Sequence, residues 1–204
     1  MARQTKYDRE DVLRRALELF WRKGYHATSL KDLELHLDMR PGSIYAAFGS
    51  KEALFIEVLR RYAENSQQQL NDILAQASTP LEGLAAYVRY LGKALAEPSP
   101  SRACMLVKTL LETPDGDPVL RQATEEFLRN TEVAFTKAFQ AAQASGNIGA
   151  KADPDQLACR LQAEIFGLRA YAQRTDAVQK VAALADGIAR DIEALDVRAT
   201  AVNA

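Results

Sequence analysis

Apolar residues recur along this chain at the three- and four-residue spacing of helices, and no run of β-branched residues alternates with the period of a strand. Val12, Leu13, Ala16, Leu17 and Phe20 predict a first helix from Asp8 to about Lys23, stopped by Gly24. Leu30, Leu33 and Leu37 predict a short second helix, and Ile44 with Phe48 a short third one. Phe55, Val58, Leu59, Tyr62, Leu70, Ile73 and Leu74 predict a long fourth helix, from Ser50 to about Gln76. Its polar middle, AENSQQQLN, marks it as a connector rather than a core rod. Beyond it, Thr79-Pro80, Ser99-Pro100, Asp117-Pro118 and Asp153-Pro154 each set a capping residue before a proline at the first helical position. Asp176, with Gln179 three residues on, opens the last helix. The pattern predicts an all-α fold of about nine helices, with no internal repeat or low-complexity tract.

Residues 28–54 organise the rest. Ser29 with Asp32 makes the S-x-x-D start of the second helix. Asp38 follows its apolar stripe and is one of the few non-glycine residues that accept a left-handed turn. Pro41 suits the first position of the third helix, Ser50 caps the fourth, and Glu52 faces the positive end of that helix. Two brief helices joined by a turn, with hydroxyl and cationic side chains outward, make a helix-turn-helix braced by the first helix.

The same stretch resembles the N-terminal segment of the TetR family of bacterial transcriptional regulators. Thr28, Ser29, Asp32, Gly42, Tyr45, Phe48, Ser50, Lys51, Glu52 and Leu54 match that family's pattern, and Leu30, Leu33, Ser43 and Ile44 are close substitutes. Glu34, Leu37, Asp38 and Arg40 depart from it, standing where alanine, alanine, glycine and a small capping residue are usual. The resemblance implies nine helices, a homodimer closed by the last two of them, and a small-molecule effector held in the body that respaces the paired heads. On this view residues 1–50 are the helix-turn-helix DNA-binding domain, and residues 51–204 are the connector helix with the ligand-binding and dimerisation domain. Repression is that family's habit.

In a helix-turn-helix the phosphate contacts position the protein and the base contacts specify the sequence. Lys51, Lys31, Tyr45, Thr28 and Ser29 are the expected positioning residues. Arg40, which can reach the O6/N7 edge of guanine, Ser43 and the small Ala46 and Ala47 surface are expected at base edges of an operator duplex, with Pro41 beside them. For Thr28 and Ser29, capping alone would explain the hydroxyls equally well.

Charge adjusts this picture only slightly. The 204-residue chain carries 26 Lys and Arg against 27 Asp and Glu. Residues 1–62 hold 12 of the basic and 9 of the acidic residues, so a modestly basic head sits on an acidic body. Arg3 and Lys6 lie in a basic N-terminal arm. No apolar run approaches the length of a membrane span, no secretory pattern opens the chain, and two cysteines make no metal spacing or disulfide framework. These features point to the cytoplasm, no membrane partner and no cofactor. The two histidines, His26 and His36, fall in the head, and no phosphate-cradling, zinc or nucleophile motif is present, so nothing points to an enzyme.

For the body, the resemblance supplies roles that spacing leaves open. Leu161, Ile165 and Leu168 on one helix, and Val181, Ile188 and Ile192 on the next, are the expected dimer interface; the same stripes would serve a subunit's own core. Tyr87, Leu91, Met105, Leu106, Phe127, Phe135, Phe139 and Phe166 are the expected effector-pocket residues, with plain core as the competing reading. Cys104, in SRACMLVK with Arg102 and Lys108 nearby, falls in the first turns of the helix expected from Pro100, where a thiolate would be favoured. A thiol sensor acting through Cys104 is thus an alternative to small-molecule induction, and a helical adaptor without DNA binding is another.

Overall fold

The structure is a computed structural model and describes residues 7–99, 101–113 and 117–198. Among the described residues there are nine α-helices and no strand: α1 (Arg9–Lys23), α2 (Leu30–Leu37), α3 (Pro41–Phe48), α4 (Lys51–Gln76), α5 (Pro80–Ala96), α6 (Met105–Glu112), α7 (Pro118–Ala144), α8 (Pro154–Tyr171) and α9 (Val178–Glu193). Arg3 and Lys6 of the basic arm, and Pro100, lie outside the described residues.

The chain divides into two compact units, one drawn from Met1–Glu64 and Met105–Phe127, the other from Asn65–Cys104 and Leu128–Ala204. The break falls inside α4 and inside α7, not at residue 50. In consequence α6 belongs to the unit that holds the helix-turn-helix.

In the first unit, Val12, Leu13, Ala16, Leu19 and Phe20 form the buried face of α1, with Leu17 half-buried. Phe20 meets Phe55 of α4 edge-on, ring centroids 4.8 Å apart, and Trp21 meets Tyr62 at 5.4 Å. α1 ends at Gly24, whose φ of 84° favours glycine. The end of that helix is finished by α6: the Lys108 ammonium donates to the carbonyls of Trp21 and Arg22, each at 3.3 Å, satisfying C-terminal groups that no helical turn follows.

The second unit is built on α5 and α9, which pack side by side so closely that a Cβ on Gly92 would lie 2.4 Å from that of Ala185. Leu84, Val88, Leu91, Phe135, Phe139, Leu161, Ile165, Val181 and Ile192 share one apolar core. Buried Gln162 donates to the Leu128 carbonyl, so its amide is not stranded there. At the edge, Arg89 of α5 bonds both oxygens of Glu193 and one of Asp186 on α9.

Two expected helix starts move. α6 begins at Met105, not Pro100, and α9 at Val178 with Ala177 rather than Asp176 at its cap. The hydrogen bonds that a helix would have made are taken elsewhere. Ser99 donates to the Ser101 carbonyl, Arg102 to the Leu95 carbonyl, and the Ala103 backbone to Ser101 Oγ. Asp176 spends its carboxylate on Arg174 and Lys180.

Asp38 caps α2 in the left-handed conformation at φ 53°, the one non-glycine residue to do so among the described residues. Replacing it by glycine removes the Cβ penalty there, and Asp38→Gly raises unfolding free energy by about 0.5–1 kcal/mol, as measured by chemical denaturation. A second test uses pH. Arg89 holds the Asp186 and Glu193 carboxyls below their ordinary values, so the stabilisation is fully present above the unfolded values near about 4 and is lost as pH falls through the lowered ones. Arg89→Met therefore lowers Tm at neutral pH, and its deficit against wild type shrinks in acid.

Candidate nucleic-acid interface

The outward surface of α2 and α3 exists because their inward residues are locked. Leu33, Leu37, Ile44 and Phe48 are buried, and each of the two helices is only eight residues long. α2 starts with a full capping box: the Asp32 backbone donates to Ser29 Oγ at 3.2 Å, and the Ser29 backbone donates to Asp32 Oδ2 at 2.8 Å. Lys23 joins the same carboxylate at 2.8 Å, and with Ser29 it holds the Asp32 carboxyl well below the usual carboxylate range.

Thr28 is not on that surface. It is fully buried, and its hydroxyl donates to the Gly24 carbonyl at 2.6 Å, so it ties the α1–α2 turn and faces no solvent. Ser29 is exposed, though its hydroxyl also donates to Asp32 at 2.7 Å. Lys31 stands free at the surface of α2.

α3 starts at Arg40, whose side chain makes no capping bond, with Pro41 following at the first helical position. Arg40, Gly42, Ser43, Tyr45 and Ala46 are exposed, and Ala47 is half-buried. Tyr45 is 46% exposed, so the residue is not packed into the head. The far end of α3 is held by Arg9, a residue that no local pattern singles out. Its guanidinium stacks on the Phe48 ring at 4.6 Å, donates to the Ala47 carbonyl at 3.2 Å and pairs with Glu57 at 2.6 Å. Those contacts span 38 and 48 residues of sequence, which hides them from any reading by periodicity.

Lys51 begins α4 with its ammonium 4.4 Å above the Tyr25 ring. Partial burial pulls its pKa below the ordinary lysine value, while the Asp32 carboxylate pulls it up. Burial likewise pushes the Tyr25 phenol up, helped by Glu52 and Asp117. A partly desolvated ammonium at a helix mouth gains from an incoming anion.

Ion pairing separates the cations of this unit into two groups. Arg9, Arg14, Arg15, Lys23, Arg60 and Arg61 each reach a carboxylate of the same unit. Among the described residues up to Arg61, the cations with no carboxylate within salt-bridge distance are Arg22, Lys31, Arg40 and Lys51. Lys31 and Arg40 lie in the helix-turn-helix, and Lys51 begins the helix that follows it.

The remaining expected sites fare differently. Leu161, Ile165, Leu168, Val181 and Ile192 are buried in their own subunit's core, and Ile188 packs against it, so these stripes do not present a dimer face. The opposite sides of the same helices stay open, as Ala163, Gly167 and Ala170 on α8, and Ala183 and 44% exposed Leu184 on α9. Tyr87, Leu91, Phe135 and Phe139 do come together in the second unit's core, with the Tyr87 and Phe135 rings 6.1 Å apart, and Phe166 is half-buried on α8. Met105, Leu106 and Phe127 belong to the other unit. A shallow, open cleft in the second unit is lined by Phe139, Leu157, Leu161, Ile192 and Leu195 together with Arg160, Glu164 and Asp191; of the expected pocket residues only Phe139 reaches it. Cys104 is half-buried and precedes α6 instead of lying in its first turns. Lys108 donates to α1 carbonyls and Arg102 to the Leu95 carbonyl.

An all-helical chain with a helix-turn-helix whose unpaired cations face outward is a DNA-reading regulator in class. Residues 12–58 match the family described as bacterial regulatory proteins, tetR family, and residues 80–188 match the tetracyclin repressor-like C-terminal domain. The chain belongs to the tetR family of bacterial regulatory proteins: it is a DNA-binding transcriptional regulator and not an enzyme. It is 26% identical to the HTH-type transcriptional repressor ComR of Escherichia coli, over 90% of this chain and 88% of that one. With the uncharacterized HTH-type regulator YezE of Bacillus subtilis it shares 29% identity, over 72% of this chain and 76% of the relative. Its fold superposes with a TM-score of 0.83 on a cysteine-substituted form of the TetR family regulator CifR complexed with 26bp double-strand operator DNA. That match is 28% identical and covers 93% of this chain and 98% of the other. Among the described residues no helix is long and apolar enough to cross a membrane.

Proposed function

We propose that this regulator is a repressor that grips a double-stranded operator as a homodimer and lets go when a small molecule occupies its body. The observation that carries the DNA-contact assignment is the set of cations without a carboxylate partner, Lys31 on α2, Arg40 at the start of α3 and Lys51 at the start of α4. Lys51, Lys31 and Tyr45 take phosphates, as does Ser29 through the turn that begins α2. Arg40, Ser43 and Ala46 address base edges, with Pro41 setting the angle of entry. Thr28 is left out of this contact set, because its hydroxyl is already spent inside the head. Residues 1–50 carry the reading head, and residues 51–204 carry the connector, the effector site and the self-association surface. The relatives' names as repressors, and the operator duplex bound by CifR, support the reading. Its place of work is the cytoplasm, where a bacterial operator lies.

Helix-turn-helix proteins read paired half-sites, so a chain with one head needs a second copy. The outer faces of α8 and α9 suit that role. They carry small residues, and a Cβ added at Gly167 or Gly187 would meet no atom of its own chain within 4 Å. For the effector, Tyr87, Leu91, Phe135, Phe139 and Phe166 remain the proposed lining within the second unit. A ligand there releases DNA only by binding the released state more tightly; moving the balance from 1:99 to 99:1 takes about 10⁴-fold of preference.

Titration of wild-type and variant protein on a selected operator and on scrambled duplex, at several salt concentrations, tests the DNA contacts. Lys51→Ala weakens binding to both duplexes and lowers the salt slope by about 1, whereas Arg40→Ala narrows the preference between them by about 1–3 kcal/mol. Reversal of these two effects would refute the assignment. For the dimer, Gly167→Leu with Gly187→Leu gives a folded monomer by sedimentation, with helix content unchanged. A dimer that persists would move the interface elsewhere.

A further inference from the structure

Gly42 is the second residue of α3, a helix of eight residues with little intrinsic stability to spare. It is exposed, on the same outward surface as Ser43, Tyr45 and Ala46. Two reasons ordinarily keep a glycine inside a helix: a left-handed backbone, or a neighbour that leaves no room for a Cβ. Neither holds here. The glycines with positive φ are Gly24, Gly49 and Gly146. A Cβ built on Gly42 meets nothing within 4 Å, in contrast to Gly83, where Leu74 would lie at 2.8 Å. Within its own chain Gly42 therefore gives up helix-forming tendency and gains no contact or conformation in return. The same combination of a helical glycine with open space occurs at Gly167 and Gly187, both on helices proposed to meet a second copy. An open helical glycine is intelligible when something outside the chain comes close to the backbone.

We propose that Gly42 is the point of closest approach between α3 and the floor of the DNA groove, so that its missing side chain is itself a determinant of base specificity. This rests on the DNA-binding reading above and adds a residue to it. With hydrogen in place of a methyl group, the first turn of α3 sinks far enough for Arg40 and Ser43 to reach base edges. A Cβ holds that turn off the bases. Lys31 and Lys51, being long and flexible, keep their phosphates across the added gap, so general affinity survives while discrimination fails.

The test compares wild type, Gly42→Ala and Gly42→Leu on a duplex enriched by the wild-type protein from a random-sequence library, and on its scrambled counterpart. Binding is read by fluorescence polarisation at two salt concentrations, and stability by thermal melting. Gly42→Ala is expected to melt at or above the wild-type temperature, to lose about tenfold or more on the enriched duplex, and to match wild type on the scrambled one. Gly42→Leu is expected to lose more on the enriched duplex, with the same salt slope on the scrambled one. Unchanged binding of Gly42→Ala to the enriched duplex overturns the proposal, as do equal losses on both duplexes. A lower melting temperature also overturns it, since the chain itself would then need the glycine. A wild-type protein that enriches no duplex at all sinks the DNA-binding reading and takes this one with it.

Discussion

Helices of eight residues do not persist alone in water, because the cost of the first turn is spread over too few hydrogen bonds. α2 and α3 are both that short, and the proposed reading surface is built on them. Their order comes from burial: Leu33, Leu37, Ile44 and Phe48 are held in the apolar core of the first unit, where Phe20 and Phe55 meet edge-on. Fully burying four such side chains is worth roughly 1.5–3 kcal/mol each, more than helix propensity could supply over sixteen residues. The polar contacts then fix the ends. Ser29, Asp32 and Lys23 close the start of α2, and Arg9 closes the end of α3. Only a helix pinned on its inner face and at its far end can offer its outer face as a rigid reading surface.

The same logic explains why the compact unit that holds the helix-turn-helix also takes in α6. α1 braces α2 and α3, and its own C-terminal carbonyls are satisfied by Lys108 of α6. Glu112 lies against the glycine that ends α1, near enough that a Cβ on Gly24 would come within 2.4 Å of its carboxylate oxygen. A helix later in sequence by some eighty residues thus finishes the first helix of the head.

Much of this was legible in sequence wherever a side chain acts on its immediate neighbours. The caps at Asp8, Ser29, Ser50, Thr79 and Asp153 all accept the backbone bonds their spacing implies. Asp38 takes the left-handed turn allotted to it. Legibility ended where a distant partner outbid the local one. Ser99 and Asp176 have the composition of caps, yet their side chains go to the Ser101 carbonyl and to Arg174 and Lys180. The interface role of the α8 and α9 stripes comes from the family resemblance, and their apolar helical spacing suits a subunit's own core equally well. Spacing says which residues share a face and not what covers it, and here the subunit's own core covers it. Arg9 and the burial of Thr28 had no sequence signal, since both are set by contacts across turns and between helices.

Net charge says little about DNA binding in a chain so nearly neutral, and the reason lies in how its charges are spent. Phosphate affinity depends on cations able to displace counterions, and an arginine already committed to a carboxylate must give up that partner first. Arg14 and Arg15 sit on Asp11, Arg61 on Glu10, Arg9 on Glu57, so much of the head's positive charge is internally cancelled. What remains is Lys31, Arg40 and Lys51, close in sequence around the two short helices, with Arg22 apart from them. A few uncommitted cations on a rigid face give a local field that the total conceals. In the proposed dimer, two such heads would add their phosphate contacts on one operator. On this reading self-association through α8 and α9 is part of the affinity itself, and any ligand that alters the spacing of the heads acts on the term that matters most.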